Sequence, residues 1–275
     1  MKIFNNIAVI SALIISACCS CSKVEPSVSE EQLPVSYTVS LLDTKAVSAN
    51  GAAINTVWYG LYNTDGSMAT KYAPVEFMNG SARCEVVMMR GHSYKLVFVA
   101  QHYKDSSTPT YPIDAEKATV GLPQTLTANS DEYDLFYGVD EITNYNGGAT
   151  GSIVLDRAVA MINFISSDED WNAAVSSSAV PTHSSITLSG VASEWNLLTG
   201  KASGSKTDLT FGKAAIPAEK HVGAAYFFAN GDINATLNLY NSDDPSASPI
   251  KTVSVSKVQV AQNKKTNVVG GIVQP

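Results

Sequence analysis

Val35-Ser36-Tyr37-Thr38-Val39-Ser40-Leu41 places an apolar side chain at every second position. A period of two sends successive side chains to opposite faces, so the stretch reads as a β-strand with one face buried. Val57-Trp58-Tyr59-Gly60-Leu61-Tyr62 reads as another strand, closed by the turn chemistry of Asn63-Thr64-Asp65-Gly66. Residues 83–89 form a further strand that stops at Arg90-Gly91-His92, after which Tyr94, Leu96, Phe98 and Ala100 put one face inward. The signature returns at residues 151–155, 158–165, 185–188, 209–211, 223–229, 235–240 and 252–260. Strands separated by polar turns at this spacing are the pattern of sandwiches and barrels.

Helical signals are sparse. Asp168–Ser176 is the best of them, with Ser167 or Asp168 as N-cap and acidic residues in the first turn. Its length makes it a connector. No series of strand–helix–strand units appears, so the class is all-β, with antiparallel sheets in either two domains or one large β-architecture.

The first residues address compartment. Lys2 is followed by an uncharged apolar run over residues 3–17. A bilayer span needs roughly 20 apolar residues, so the run has the form of a signal peptide, residues 1–17. It ends Ile15-Ser16-Ala17-Cys18, a bacterial lipobox pattern in which the cysteine sulfur receives the lipid; Cys21 is the alternative acceptor. Acyl chains would anchor the mature chain, each buried methylene contributing ~0.8 kcal/mol. Residues 18–34 are polar and aperiodic, with Pro26, Pro34 and Glu30-Glu31, and read as a lipidated tether.

Of the four cysteines only Cys84 lies in the body of the chain, which excludes a disulfide framework and a zinc spacing. Cys84 alternates with Arg83 and Glu85, so a small buried hydrophobe is its expected role. With 18 Lys+Arg against 25 Asp+Glu, the net charge of −7 argues against nucleic acid and against a polybasic membrane patch.

No constellation carries catalysis. His92, His102, His183 and His221 are widely separated, and no serine sits in a Gly-x-Ser-x-Gly elbow. Asp131-Glu132-Tyr133-Asp134 and Asp168-Glu169-Asp170 lack the alternating ligands of a calcium loop; the first reads as a turn entering a strand, the second as a helix start. Trp58, Trp171 and Trp195 are expected to pack in cores or turns. Gly147-Gly148 and Gly270-Gly271 lack the Lys-Ser/Thr of a phosphate loop. The chain is expected not to be an enzyme and to need no cofactor or metal.

The glycine-rich stretch Tyr145-Asn146-Gly147-Gly148-Ala149-Thr150-Gly151 is either a domain junction or a long hairpin turn. The change of domain is placed at about Asp156, giving an N-terminal sandwich over residues 35–156 and a C-terminal one over 157–275. At the carboxyl end, Val253, Val255, Val258 and Val260 alternate with one break at Lys257, then polar residues 262–267 precede a short β-like segment, residues 268–273. A terminal apolar strand either closes its own sheet or adds to the edge of another molecule.

Several motifs stand in a telling order: the lipobox, the tether, Asp43-Thr44-Lys45-Ala46, residues 57–62, Gly91-His92-Ser93-Tyr94-Lys95-Leu96-Val97-Phe98-Val99-Ala100-Gln101, Tyr133-Asp134-Leu135-Phe136-Tyr137-Gly138 and Ala160-Met161-Ile162-Asn163-Phe164. Val191-Ala192-Ser193-Glu194-Trp195-Asn196-Leu197-Leu198-Thr199-Gly200 and Lys264-Lys265-Thr266-Asn267-Val268-Val269-Gly270 follow. The chain thereby resembles the fimbrillin-like lipoproteins of Gram-negative anaerobes, which include type V pilus subunits. That resemblance implies two tandem antiparallel β-sandwich domains of the transthyretin-like kind, an outer-membrane lipid anchor at the cell surface, and assembly with other pilus subunits. It further implies proteolytic removal of an N-terminal strand, here residues 35–41, by cleavage between Lys45 and Ala46, and replacement by a strand from another subunit. The C-terminal segment is the candidate donor. Family members usually carry arginine where Lys45 stands. Without trimming, the resemblance implies an anchor subunit, an accessory subunit or a stand-alone adhesin. The alternative expectation is a monomeric surface lipoprotein that binds a glycan or host protein through sandwich loops.

Overall fold

The computed structural model describes residues 31–42, 53–148 and 150–274. The chain runs through β1 (Gln32–Leu41), β2 (Thr56–Asn63), β3 (Met68–Lys71), β4 (Val75–Glu76), β5 (Ser81–Met89) and β6 (Tyr94–Gln101). Short strands β7 (Ile113–Asp114), β8 (Thr119–Gly121) and β9 (Leu126–Thr127) follow. A 3-10 turn, Asp131–Tyr133, then leads into β10 (Leu135–Ile142), β11 (Thr150–Arg157) and β12 (Ala160–Ser166). After helix α1 (Asp168–Ser176) come β13 (His183–Asn196), β14 (Lys201–Ala215), β15 (His221–Phe227), β16 (Ile233–Tyr240), β17 (Lys251–Val258) and β18 (Lys265–Gly270). The all-β class read from the alternation is therefore the class observed.

The sheets are ordered β3-β2-β6-β10-β11-β1-β5, with β4 on β2; β15-β12-β18; and β17-β16-β13-β14-β9, with β8 on β13 and β7 on β8. Strands β10 and β11 pair only at Phe136↔Arg157 and Tyr137↔Asp156 before they splay. Beyond that corner β11, β1 and β5 form one layer and β10, β6, β2 and β3 the other.

Between these layers lies one apolar core, which contains Val35, Tyr37 and Val39 of β1, Cys84, Val86 and Met88 of β5, and Tyr59, Phe98 and Phe136 of the facing layer. The other face of the β2-β6-β10 layer is buried too: Trp58, Tyr62, Val97, Val99, Leu135 and Tyr137 belong to a second core with the strands beyond β11. Burial on both faces explains why β6 reads as a nearly continuous apolar run. Tyr111, Val120 and Leu126 also enter the second core, so the two cores interleave along the chain. Asp156 lies within β11, and the stretch from Tyr145 to Gly148 is loop between β10 and β11.

Polar contacts fasten this second core. The Gln101 side chain clamps Tyr111, with Nε2 donating to the Tyr111 carbonyl at 3.1 Å and Oε1 accepting its N–H at 2.7 Å. Tyr137 donates to the Leu197 carbonyl at 2.6 Å and packs its ring edge-on to Trp195.

Four local expectations need correction. The tether expected over 18–34 ends earlier, because β1 begins at Gln32. Pro34 is tolerated there: it pairs with Val87 of β5, while β11 joins β1 only from Ser36, so no partner on that side calls for its missing N–H. Strands β13 and β14 run for 14 and 15 residues, far beyond the stretches expected at 185–188 and 209–211. Register shifts between Ser184 and Ile186, Ser189 and Val191, and Ala192 and Glu194 break the alternation into short runs. The sheets are not purely antiparallel, since β1 runs parallel to β11 and β18 parallel to β12. Finally, β18 starts at Lys265, inside the polar stretch assigned to residues 262–267.

Candidate functional site

Cys18, Cys21, Lys45 and Ala46 lie outside the described residues. The strand they bracket does not. β1 occupies the middle of its layer, antiparallel to β5 from Gln32↔Met89 to Ser40↔Ser81 and parallel to β11 from Ser36↔Thr150 to Leu41↔Leu155. The Leu42 N–H adds a bond to the Leu155 carbonyl at 2.8 Å. Val35, Tyr37 and Val39 are 3%, 5% and 0% exposed, so the strand is gripped by backbone on both edges and by an apolar core on one face. Side chains of this kind contribute ~1.5–3 kcal/mol each when fully buried.

Tyr37 also ties β1 to the facing layer. Its hydroxyl donates to Asp140 Oδ2 at 2.7 Å across the two layers. Burial, with that carboxylate second, pushes the phenol well above its ordinary range. Directly opposite Tyr37 on β5 stands Cys84, fully buried, whose thiol burial pushes up to about 12. Its expected role as a small buried hydrophobe is the one observed.

At the other end of the chain, β18 lies on β12 of its own sheet, from Met161↔Lys265 to Ser166↔Gly270. The residues beyond it are held by Asp170, near the start of α1. Its Oδ2 accepts from the N–H groups of Ile272 at 2.8 Å and Val273 at 2.7 Å, and from Ser166 Oγ at 2.7 Å; its Oδ1 accepts from the N–H of Gln274 at 2.8 Å. Burial alone would raise this carboxyl, but the converging donors outweigh it and hold it below the usual carboxylate value. Ile272 and Val273 are buried in the second core.

Residues 29–273 match the model of DUF6562, a family of unknown function. The chain belongs to that family. No curated protein matches it. Among solved structures, a candidate polysaccharide-binding protein (DUF1812) of Bacteroides thetaiotaomicron is 10% identical, aligns over 86% of this chain and 90% of its own, and has a TM-score of 0.50. A fimbrial assembly protein of Parabacteroides distasonis is 12% identical over 87% of this chain and 92% of its own, with a TM-score of 0.48. A candidate cell adhesion protein of Bacteroides eggerthii is 15% identical over 88% of each chain, with a TM-score of 0.47.

In this DUF6562 chain several polar residues of the acidic stretches and their caps serve the fold. Ser130 caps the 3-10 turn Asp131–Tyr133, and Asp134 enters a buried ion pair with Arg157. Ser167 caps α1, accepting from the Asp170 N–H at 3.4 Å. Trp58, Trp171 and Trp195 are buried, as packing required. The four histidines stay apart: His92 stacks on Tyr94, His102 contacts the Ala53 carbonyl, His183 contacts Thr182, and His221 contacts Asn163. Among the described residues no group of three His, Cys, Asp or Glu side chains is placed to hold a metal, and no helix is long and apolar enough to cross a membrane. Reading along the chain missed Asp140 and the tail-holding role of Asp170, because their partners lie over a hundred residues away.

Proposed function

We propose that this chain is a cell-surface lipoprotein, a fimbrial subunit or fimbrillin-like adhesin, that assembles by exchange of the β1 strand. The observation that carries the reading is the position of β1: the first strand among the described residues, it fills the centre of a three-stranded layer, with Lys45 shortly after it. Cleavage after Lys45 would free β1 and open a slot lined by the edges of β5 and β11. The slot would carry apolar pockets at every second position, where Val35, Tyr37 and Val39 sit. Backbone bonds to both edges supply affinity, and the alternating pockets supply register. Acylation at Cys18, or at Cys21, would keep the untrimmed chain on the outer membrane.

The C-terminal segment is the candidate donor. Val268 and Ile272 share one face of an extended segment, as pockets at every second position require, and donation requires release from β12 and from Asp170.

Sequencing the N-terminus of the native protein tests the anchor and the cleavage together: acylated Cys18 or a start at Ala46 is expected. A lysine-specific protease should then yield heat-resistant ladders on a gel. A trimmed chain that stays monomeric overturns strand exchange. Glycan or host-protein binding by that monomer would favour a ligand-binding lipoprotein instead.

A further inference from the structure

An edge strand offers a row of unpaired N–H and C=O groups to any other extended chain. Among the described residues, β5 ends its sheet, and it is a regular strand of nine residues with no left-handed position inside it. Another edge strand, β17, is interrupted by Lys257 at φ 52°. Nothing of that kind protects β5.

Three tyrosines of the facing layer reach it instead. The Tyr72 hydroxyl accepts from the Val87 N–H at 3.0 Å and donates to the Val87 carbonyl at 3.2 Å, so one side chain occupies both ladder groups of that residue. Two residues before, Tyr59 donates to the Glu85 carbonyl at 3.2 Å; two residues after, the Met89 N–H reaches the Tyr94 hydroxyl at 3.4 Å. Glu85, Val87 and Met89 share one parity, and in a strand residues of one parity turn their backbone groups to the same edge. Because Val87 gives both groups to Tyr72, that edge is the one away from β1. The rings are braced: Tyr59 and Tyr72 stack with centroids 4.8 Å apart and planes 6° from parallel. Tyr59 and Tyr94 are buried, and Tyr72 is half-buried. Farther along the edge, the exposed pair Arg83–Glu85 places charge where an added strand would lie.

We propose that the hydroxyls of Tyr59, Tyr72 and Tyr94 keep the outer edge of β5 closed to strand pairing with a second copy of the chain. The mask satisfies four successive groups of that edge from within, from the Glu85 carbonyl to the Met89 N–H, and so breaks the row that another strand would read. The mask belongs to the untrimmed chain, in which β1 still pairs with β5, so its failure and the failure of strand exchange at β1 are separate results.

The test uses the full, untrimmed chain in detergent. Tyr72→Phe removes one hydroxyl and keeps the ring; the Val87 amide should then exchange with solvent at least about tenfold faster. The triple variant Tyr59→Phe/Tyr72→Phe/Tyr94→Phe should self-associate at concentrations at least about tenfold lower than the parent. Adding Val87→Lys to it should restore the monomer, since an edge lysine opposes strand pairing. A folded triple variant that stays as monomeric as the parent overturns the proposal, as does association that Val87→Lys leaves unchanged. Should the triple variant lose its β circular dichroism, Tyr72→Phe decides alone: faster Val87 exchange with increased association supports the mask, and no change in either overturns it.

Discussion

The Tyr37 ring fills the space that a side chain at Gly151 would need. The two residues are cross-strand partners, and a Cβ built on Gly151 would lie 2.5 Å from Tyr37 Cε1. The ring is fixed from its far end by the Asp140 bond, so it has little room to retreat. Gly151→Ala should therefore loosen β1, costing about 1–3 kcal/mol of stability. Urea denaturation measures the loss, and hydrogen exchange should place it in the amides of residues 36–41. An alanine variant as stable as the parent would show that the slot tolerates a displaced Tyr37.

Cys84 offers a probe for departure of β1. Its thiol is fully buried opposite Tyr37 and pushed up to about 12, two reasons for a thiol reagent to ignore it in the intact chain. Cleavage after Lys45 removes the other three cysteines, leaving Cys84 as the sole target. Labelling at Cys84 should accelerate by about a hundredfold or more once β1 leaves, and fall again when a peptide of residues 32–41 is added back. Equal labelling before and after cleavage would mean that β1 stays in place.

Local chemistry was legible in the chain and distant register was not. The helix Asp168–Ser176 and its Ser167 cap follow from a few adjacent residues, and the break seen at Lys257 is a left-handed backbone whose N–H bonds Asn234 Oδ1 at 3.1 Å. In β6 the inward set Tyr94, Leu96, Phe98 and Ala100 is right, but Val97 and Val99 are equally buried on the opposite face. A second covering layer leaves no mark in a single strand beyond the loss of polar alternation. Alternation is also the same for parallel and antiparallel strands, which is why the β1–β11 direction could not be read. Tyr37 and Asp140 are 103 residues apart, and nothing near either names the other.

Asp170 should make the hold on the C-terminal tail sensitive to acid. Its folded value is depressed below the ordinary ~3.9 of an unfolded aspartate. A depressed carboxyl contributes stability above the unfolded value and loses it as pH falls through the folded one. The amides of Ile272, Val273 and Gln274 should thus keep their protection at about pH 5 and lose it at the acid end, below ~3.9. Asp170→Asn should imitate the acid state at neutral pH, at a cost of about 2–3 kcal/mol, because hydrogen bonds to a charged acceptor are worth about that much. Tail amides that stay protected in the asparagine variant would show that burial of Ile272 and Val273 suffices.

The pair Asp134–Arg157 should respond to pH in the opposite direction once broken. Arg157 Nε and Nη2 donate to the two carboxylate oxygens at 2.7 and 2.8 Å, and the guanidinium sits 5.2 Å from the Phe136 ring centroid, at the corner where β10 meets β11. Burial pushes the Asp134 carboxyl up, and the guanidinium opposes that push. Arg157→Met removes the opposition and leaves a buried carboxyl without its cation, which typically costs about 3–5 kcal/mol. With the folded value raised further, the variant gains relative stability as pH falls, because the neutral acid is the form its site accepts. Its deficit against the parent in urea melts should therefore shrink from about pH 7 to about pH 4. The double variant Asp134→Leu/Arg157→Met should lose less than the sum of its parts, since no charge is then stranded. A deficit independent of pH would mean that the stacking of the Arg157 guanidinium over Phe136, and not the ion pair, supports the corner.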